Sequence, residues 1–198
     1  MTTPAREPGR PVAPSAEQRP VLDQRDIARA LTRIAHEIVE QNKGVDDLVI
    51  LGIPKRGVPL AHRLAAQIAQ AEDADVAVGA LDATMYRDDL RLRPARALEH
   101  TDIPAGGVDG KVVVLVDDVL FSGRTVRAAL TALDDVGRPR TIRLAVLVDR
   151  GHRQLPIRPD HVGKNLPTSL EQSVHVLLDE VDGRDAVLVV NSAAEDRP

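Results

Sequence analysis

Val112-Val113-Val114-Leu115-Val116-Asp117-Asp118-Val119-Leu120-Phe121-Ser122-Gly123-Arg124-Thr125 is the stretch whose reading decides the fold. Its first five residues make a short apolar run of the kind that forms a strand buried on both faces. Thr125 opens a helical pattern that runs to Val136 and stops at Gly137. The reading is strand over 112–116, loop over 117–123, then helix. Open α/β sheets place ligands beyond the carboxyl ends of their strands, so Asp117 and Asp118 are expected there as exposed loop carboxylates. Behind them, free backbone N–H groups, the hydroxyls of Ser122 and Thr125 and the positive end of a helix converge on one anion. Gly123 permits close approach of the backbone. Carboxylates beside such a cradle repel a bare polyphosphate, so they suit hydroxyls or a magnesium ion, and a sugar phosphate fits both halves. A purely local alternative exists, in which the two acids cap a helix and Ser122-Gly123 is only a turn. The stretch is not a Walker loop, because the Gly-Lys-Ser/Thr ending is missing, and it is not a dinucleotide fingerprint.

Outward from this unit the same order recurs. Leu48-Val49-Ile50-Leu51-Gly52-Ile53 is an apolar run that ends in Pro54-Lys55-Arg56-Gly57, and Leu60, Leu64 and Ile68 follow at helical spacing. Ile27, Leu31, Ile34 and Ile38 mark an amphipathic helix over about 23–43, capped by Asp23 and closed by Lys43-Gly44. Further strands are expected near 75–83, 142–148, 174–178 and 186–190. Strand–helix repeats with short loops imply right-handed crossovers, hence an α/β fold with an open, mostly parallel sheet flanked by helices. Residues 1–20 carry Pro4, Pro8, Pro11, Pro14 and Pro20 with little apolar periodicity, and are expected to be a disordered tail ahead of one domain over 21–198. The charged, proline- and glycine-bearing connection from Met85 to Gly110 is long enough to be either functional or a solvated insertion.

Composition narrows the chemistry. With no cysteine there are no disulfides, thiolate metal sites or cysteine nucleophiles, and any catalysis uses oxygen or nitrogen groups, with a hard metal if with any. One Tyr, one Phe and no Trp leave no aromatic platforms for stacking single-stranded bases. The net charge of -4 argues against a general polyanion binder, although a local basic patch is compatible with it. No run is long enough for a membrane span and the N-terminus lacks a signal-peptide core, so the expectation is a soluble cytoplasmic protein without a membrane partner.

The hydrophobic strand, two acids and small-residue turn ending in Thr125 resemble the phosphoribosyl pyrophosphate motif of type I phosphoribosyltransferases. The resemblance is closest to the PyrR family and covers about residues 21–191. It rests on Ala30-Leu31-Thr32-Arg33-Ile34-Ala35-His36-Glu37, Tyr86-Arg87-Asp88-Asp89-Leu90, Asp135-Val136-Gly137-Arg138-Pro139, Leu147-Val148-Asp149-Arg150-Gly151-His152-Arg153, Gly163-Lys164-Asn165 and Leu178-Asp179-Glu180-Val181-Asp182. It implies the type I fold with a small hood at about 165–175. It also implies transfer of a phosphoribosyl group to uracil, giving UMP and pyrophosphate, with Mg2+ held mainly through substrate and in addition by Asp117 or Asp118.

By this resemblance Asp117 and Asp118 hold the ribose hydroxyls, and the loop Val119-Leu120-Phe121-Ser122-Gly123-Arg124-Thr125 holds the 5'-phosphate. Asp118 is either a base for the uracil N1 proton or only a ribose ligand. Lys55, Arg56 and Gly57 form the pyrophosphate loop, a place for a cis peptide at Lys55–Arg56. Two cations and a glycine at a sheet edge suit a diphosphate, the alternative being two solvated charges. Tyr86, Arg87 and Asp88 belong to a closing loop in which Arg87 meets the departing pyrophosphate. Arg150 and Val174 lie near the base.

The resemblance further implies a regulator that binds the leader mRNA of the pyrimidine operon in a UMP-dependent way. Control of transcription and control of translation both stay open. Its RNA surface combines Thr32, Arg33 and His36, which lie off the apolar stripe of the first helix, with His152, Arg153, Arg158 and Lys164. Gln41 stands where the family pattern has a basic residue. The competing readings are a metabolic phosphoribosyltransferase without RNA binding, and an RNA regulator whose site only senses nucleotide. A homo-oligomer, a dimer or higher, is also implied.

Overall fold

The structure is a computed structural model, and it describes residues 18–88 and 100–191. The elements in chain order are β1 (Gln18–Leu22), α1 (Gln24–Asn42), β2 (Leu48–Gly52), α2 (Gly57–Glu72), β3 (Ala77–Ala80), a short 3-10 turn (Thr84–Tyr86), β4 (Val112–Leu120), α3 (Arg124–Val136), β5 (Thr141–Asp149), β6 (His161–Asn165), β7 (Gln172–Leu177), α4 (Asp179–Asp182) and β8 (Ala186–Asn191). Five of the strands form a fully parallel sheet in the order β3-β2-β4-β5-β6.

Alternation along the central strands divides the core into two layers. Leu48 and Ile50 of β2 and Val112, Val114 and Val116 of β4 pack with the apolar stripes of α1 and α2. Their neighbours Val49, Leu51, Val113 and Leu115 face Val126, Ala129 and Leu133 of α3. Each fully buried aliphatic side chain contributes roughly 1.5–3 kcal/mol. The period of two in the strands therefore fixes which helices lie on which face.

Helix α1 begins and ends as its sequence demands. Asp23 accepts from the Asp26 N–H at 2.8 Å while the Asp26 carboxylate accepts from the Asp23 N–H, a reciprocal capping box. Lys43 closes it in the left-handed conformation at φ 60°. At the start of α2, a Cβ on Gly57 would lie 2.3 Å from the Val116 carbonyl oxygen, so only glycine lets this helix sit so close to β4.

Three boundaries differ from the sequence reading. First, β4 does not stop at Val116. It stays in register with β5 as far as Leu120 opposite Asp149, because β5 is long enough to continue the ladder. Second, Gln18, Arg19 and Pro20 lie in β1, paired antiparallel with β8, although the proline content placed them in the tail; Pro20 is tolerated because β1 is an edge strand. Residues 1–17 lie outside the described residues. Third, residues 165–175 include the end of β6 and the first part of β7. β7 belongs to a separate three-stranded antiparallel sheet, order β1-β8-β7, which draws on both ends of the described chain. Among the described residues no helix is long and apolar enough to cross a membrane.

Candidate active site

The carboxyl end of β4 opens onto a cavity of about 550 Å³. Its wall is made by Asp117, Val119 and Leu120 from the strand, by Phe121, Ser122, Gly123, Arg124, Thr125 and Val126 from the turn and α3, by Arg87 and Asp88 from the long connection, and by Gln154. The turn contracts to 121–123 because the strand is longer than expected. Gly123 caps α3 at φ 91°, in the left-handed region that a side chain disfavours. The Ser122 hydroxyl accepts from the Arg124 N–H at 3.4 Å, and Gly123 has no side chain to cap the N–H groups that follow, so this helix start suits an anion.

Asp117 departs from the expectation of an exposed loop carboxylate. It lies in β4 and is only 6% exposed. Its Oδ1 accepts from the Asp118 N–H at 2.9 Å, and Asp118 Oδ1 accepts from the Val119 N–H at 2.8 Å. Burial, and after it the neighbouring charge of Asp118, push the Asp117 carboxyl well above the usual carboxylate range; nearby Arg87 opposes this. Asp118 is half-buried beside it. Two adjacent carboxyl groups at a strand end, one of them buried, can accept from hydroxyl donors or hold a cation.

The long connection meets this loop directly. Arg87 Nη1 donates to the Thr125 hydroxyl at 2.7 Å. Asp88 accepts from Arg124 Nη1 and from Arg127 Nη2, the latter at 2.6 Å, and so fastens the connection to the first turn of α3. Tyr86 points elsewhere: its hydroxyl donates to Asp135 near the other end of α3, and it does not line the cavity. Asp89 and Leu90 lie outside the described residues.

On the next loop the cis peptide falls at Pro54–Lys55, one residue before the expected position. Arg56 is partly buried and paired. Its Nε and Nη2 form a two-point ion pair with Asp182 at 3.0 and 2.7 Å, and Asp118 is close enough to stabilise its charge further. Arg63 makes a parallel set of bonds to Glu180 and Asp185, which together with Arg56 anchor α4 to α2. Lys55 lines a second, smaller cavity with Val58, Pro59 and His100.

Arg150 is buried, with its guanidinium 4.2 Å above the Phe121 ring. It donates to the Thr168 hydroxyl and to the carbonyls of Ser169 and Gln172 at 2.6–3.1 Å, tying Phe121 to the connection between β6 and β7. Val174 sits on β7, half-buried against the core and outside the main cavity wall.

The residues grouped above as an RNA surface fall into different environments. Thr32, Arg33 and His36 are exposed on α1, as their spacing implied, and Arg158 and Lys164 are exposed too. Arg33 also has an internal task, donating from Nη2 to the carbonyls of Val162 and Gly163 at 2.8 Å and from Nη1 to Glu37 at 2.6 Å, which brings α1 next to Lys164 on β6. His152 and Arg153 instead pack beside the 121–123 turn. The His152 ring meets Phe121 edge-on and its Nε2 lies 2.6 Å from the Thr168 carbonyl. Sequence reasoning missed Gln154, whose Oε1 accepts from Arg124 Nε at 2.8 Å, and Arg127. No spacing signal distinguishes either from ordinary polar positions.

Comparison with known proteins agrees with this geometry. The family described as "Phosphoribosyl transferase domain" matches residues 17–180. The chain is 68% identical over 173 residues to "Bifunctional protein PyrR" of Streptomyces coelicolor, covering 87% of this chain and 90% of that one. It is 62% identical to the protein of the same name from Leifsonia xyli, covering 89% and 98%. In fold it is similar to a hypoxanthine phosphoribosyltransferase of Trypanosoma cruzi, with a TM-score of 0.66 at 18% identity over 90% of this chain and 98% of that one. The chain belongs to the PyrR family of phosphoribosyltransferases.

Proposed function

We propose that this chain transfers the phosphoribosyl group of phosphoribosyl pyrophosphate to uracil, and that it binds pyrimidine-operon leader mRNA more tightly when UMP occupies the same site. The observation that carries the first half is the cavity in which the Ser122–Thr125 helix start, Asp117 and Arg87 converge, with Asp118 next to Asp117 on the same strand end. The relatives' printed description as bifunctional supports the second half.

In this reading the N–H groups and hydroxyls from Ser122 to Thr125 hold the 5'-phosphate, and the two carboxylates take the ribose hydroxyls. The C1–O bond to pyrophosphate breaks, a C1–N1 bond to uracil forms, and the N1 proton leaves. Catalysis is mostly positioning and neutralisation of developing charge, with Arg87 at the departing diphosphate. Arg56 reaches that diphosphate only by leaving or sharing Asp182. Arg150 and Phe121 border the base, and Val174 is near it. Asp118 serves ribose, and a role as base toward N1 stays open.

Magnesium suits the site. Among the described residues no group of three or more His, Asp or Glu side chains forms a cage, but the Asp117–Asp118 pair offers two adjacent carboxylates at the end of β4. Magnesium is commonly held by one or two carboxylates together with substrate phosphates and water. Asp118 and Asp117 would hold it with substrate oxygens, and it would supply charge neutralisation at the diphosphate.

For RNA, the exposed group of Thr32, Arg33, His36, Lys164 and Arg158 offers phosphate contacts without aromatic stacking. The working assembly is a cytoplasmic homo-oligomer. The deciding experiment measures pyrophosphate release from phosphoribosyl pyrophosphate with uracil, hypoxanthine, adenine or orotate. Release with uracil alone is expected; release only with a purine base would overturn the assignment.

A further inference from the structure

Arg153 is placed on the RNA surface by family resemblance, yet its side chain is turned inward and is 22% exposed. Nη2 pairs with the Asp149 carboxylate at the end of β5. Nη1 donates to the Phe121 carbonyl at 2.9 Å and the Gly151 carbonyl at 3.1 Å, and Nε donates to the Ile157 carbonyl at 3.1 Å. The residues that follow it hold the next peptide: the N–H groups of Gln154 and Leu155 both donate to the Ser122 carbonyl, at 3.0 and 3.2 Å. The side chains of Leu155 and Ile157 fill the space beside Gly123.

A trans peptide is planar, so its carbonyl and its N–H point in opposite directions. Fixing the Phe121 carbonyl therefore fixes the direction of the Ser122 N–H, and fixing the Ser122 carbonyl fixes that of the Gly123 N–H. These are two donors of the cradle at the start of α3, and the carbonyls that steer them are held from behind by one guanidinium and the segment after it.

We propose that Arg153 is a positioning residue for the phosphate loop, one that orients the Ser122 N–H toward the 5'-phosphate and acts without touching substrate. The proposal rests on the reading of this loop as a sugar-phosphate site. Arg153 joins β5, the Phe121 peptide and the Ile157 turn through one side chain, and its charge is matched locally by Asp149, so it has no need of a phosphate partner to satisfy it. A consequence is that RNA contacts fall to the outward cations, while Arg153 reports on the loop beneath.

The test titrates ribose 5-phosphate calorimetrically into the wild type, Arg153→Ala and Arg153→Lys, with thermal unfolding of each. Loss of charged hydrogen bonds of this kind predicts an affinity for ribose 5-phosphate lower by roughly tenfold or more in Arg153→Ala. Arg153→Lys should fall between, since it keeps the charge beside Asp149 and one donor. KM for phosphoribosyl pyrophosphate should rise more than kcat falls, and added methylguanidinium should restore part of the affinity of Arg153→Ala. If Arg153→Ala does not fold, Arg153→Lys gives the same reading on a folded protein. A wild type that fails to bind ribose 5-phosphate would remove the sugar-phosphate reading and the proposal together. A wild type that binds it, beside folded variants that bind it equally well, would overturn the positioning role alone. Loss of leader-RNA binding with unchanged ribose 5-phosphate affinity would return Arg153 to the RNA surface.

Discussion

Arg87 donates from Nη1 to the hydroxyl of Thr125 at 2.7 Å, so the first residues of the long connection rest on the start of α3 rather than projecting into solvent. The contact leaves Arg87 in the wall of the main cavity and near enough to Asp117 to lower the cost of its charge. Removal of this guanidinium should act mainly on the transition state, where diphosphate charge develops. Arg87→Ala is expected to lower kcat by roughly 100–1000-fold with a smaller change in KM, the size typical of losing one preorganised donor to developing charge. Steady-state kinetics with both substrates varied would check this, and an unchanged kcat would take Arg87 out of the chemistry.

Asp117 should be kept for function at a cost to stability. Its folded pKa is raised above the unfolded value near 3.8, chiefly by burial. A group raised in this way favours the fold fully below the unfolded pKa, and that contribution is lost as pH rises through the folded pKa. Asp117→Asn keeps an oxygen to accept from the Asp118 N–H and carries no charge. It is expected to abolish transfer yet melt above the wild type at pH 8, each kcal/mol relieved being worth about 2–4 °C. The difference should shrink as pH falls toward 4, where the wild-type carboxyl is protonated. Melting curves over that pH range, beside an activity assay, test both halves; a variant that melts below the wild type at pH 8 would contradict them.

The central strands and first three helices were legible because burial on both faces needs unbroken apolar runs, and amphipathic helices need a repeat near 3.6. That logic placed 48–53, 112–116 and 142–148, as well as the α1 boundaries. It failed for β6, whose His161-Val162-Gly163-Lys164-Asn165 has no apolar pattern and is held by pairing with β5 and by Arg33 bonded to its carbonyls. It failed for β1 as well, where proline content outweighed an edge strand's tolerance of proline. The turn at 121–123 and the helix start behind it were readable because they are set by local sequence. The contacts of Arg56 with Asp182, Arg150 with Thr168 and Arg153 with Phe121 were not, because these partners are brought near by the fold from 18 to 126 residues away.

The Arg56–Asp182 pair makes α4 part of the site's frame. Asp182 accepts from Arg56 at two points and from the Leu178 N–H, and the Arg56 hydrogen bond in the first place holds its carboxyl below the usual range. A depressed carboxylate contributes stability above its unfolded pKa near 3.8, and loses it as pH falls through the folded value. Asp182→Ala is expected to destabilise the protein by about 1–3 kcal/mol at neutral pH, the range for losing charged hydrogen bonds in a partly buried pair. Chemical denaturation at pH 7 measures this, and repeating it at pH 3 should narrow the difference from wild type. No change at either pH would mean that the pair contributes nothing to the frame.

The central claim is that one site makes UMP and sets RNA affinity, and the most direct measurement is a titration of the pyrimidine-operon leader RNA with and without UMP, carried through a salt series. The account predicts tighter binding with UMP. It also predicts a shallower salt slope in Lys164→Ala, as expected for a lost phosphate contact. Leader binding that is absent, or that UMP leaves unchanged in a protein that makes UMP from uracil, would contradict it.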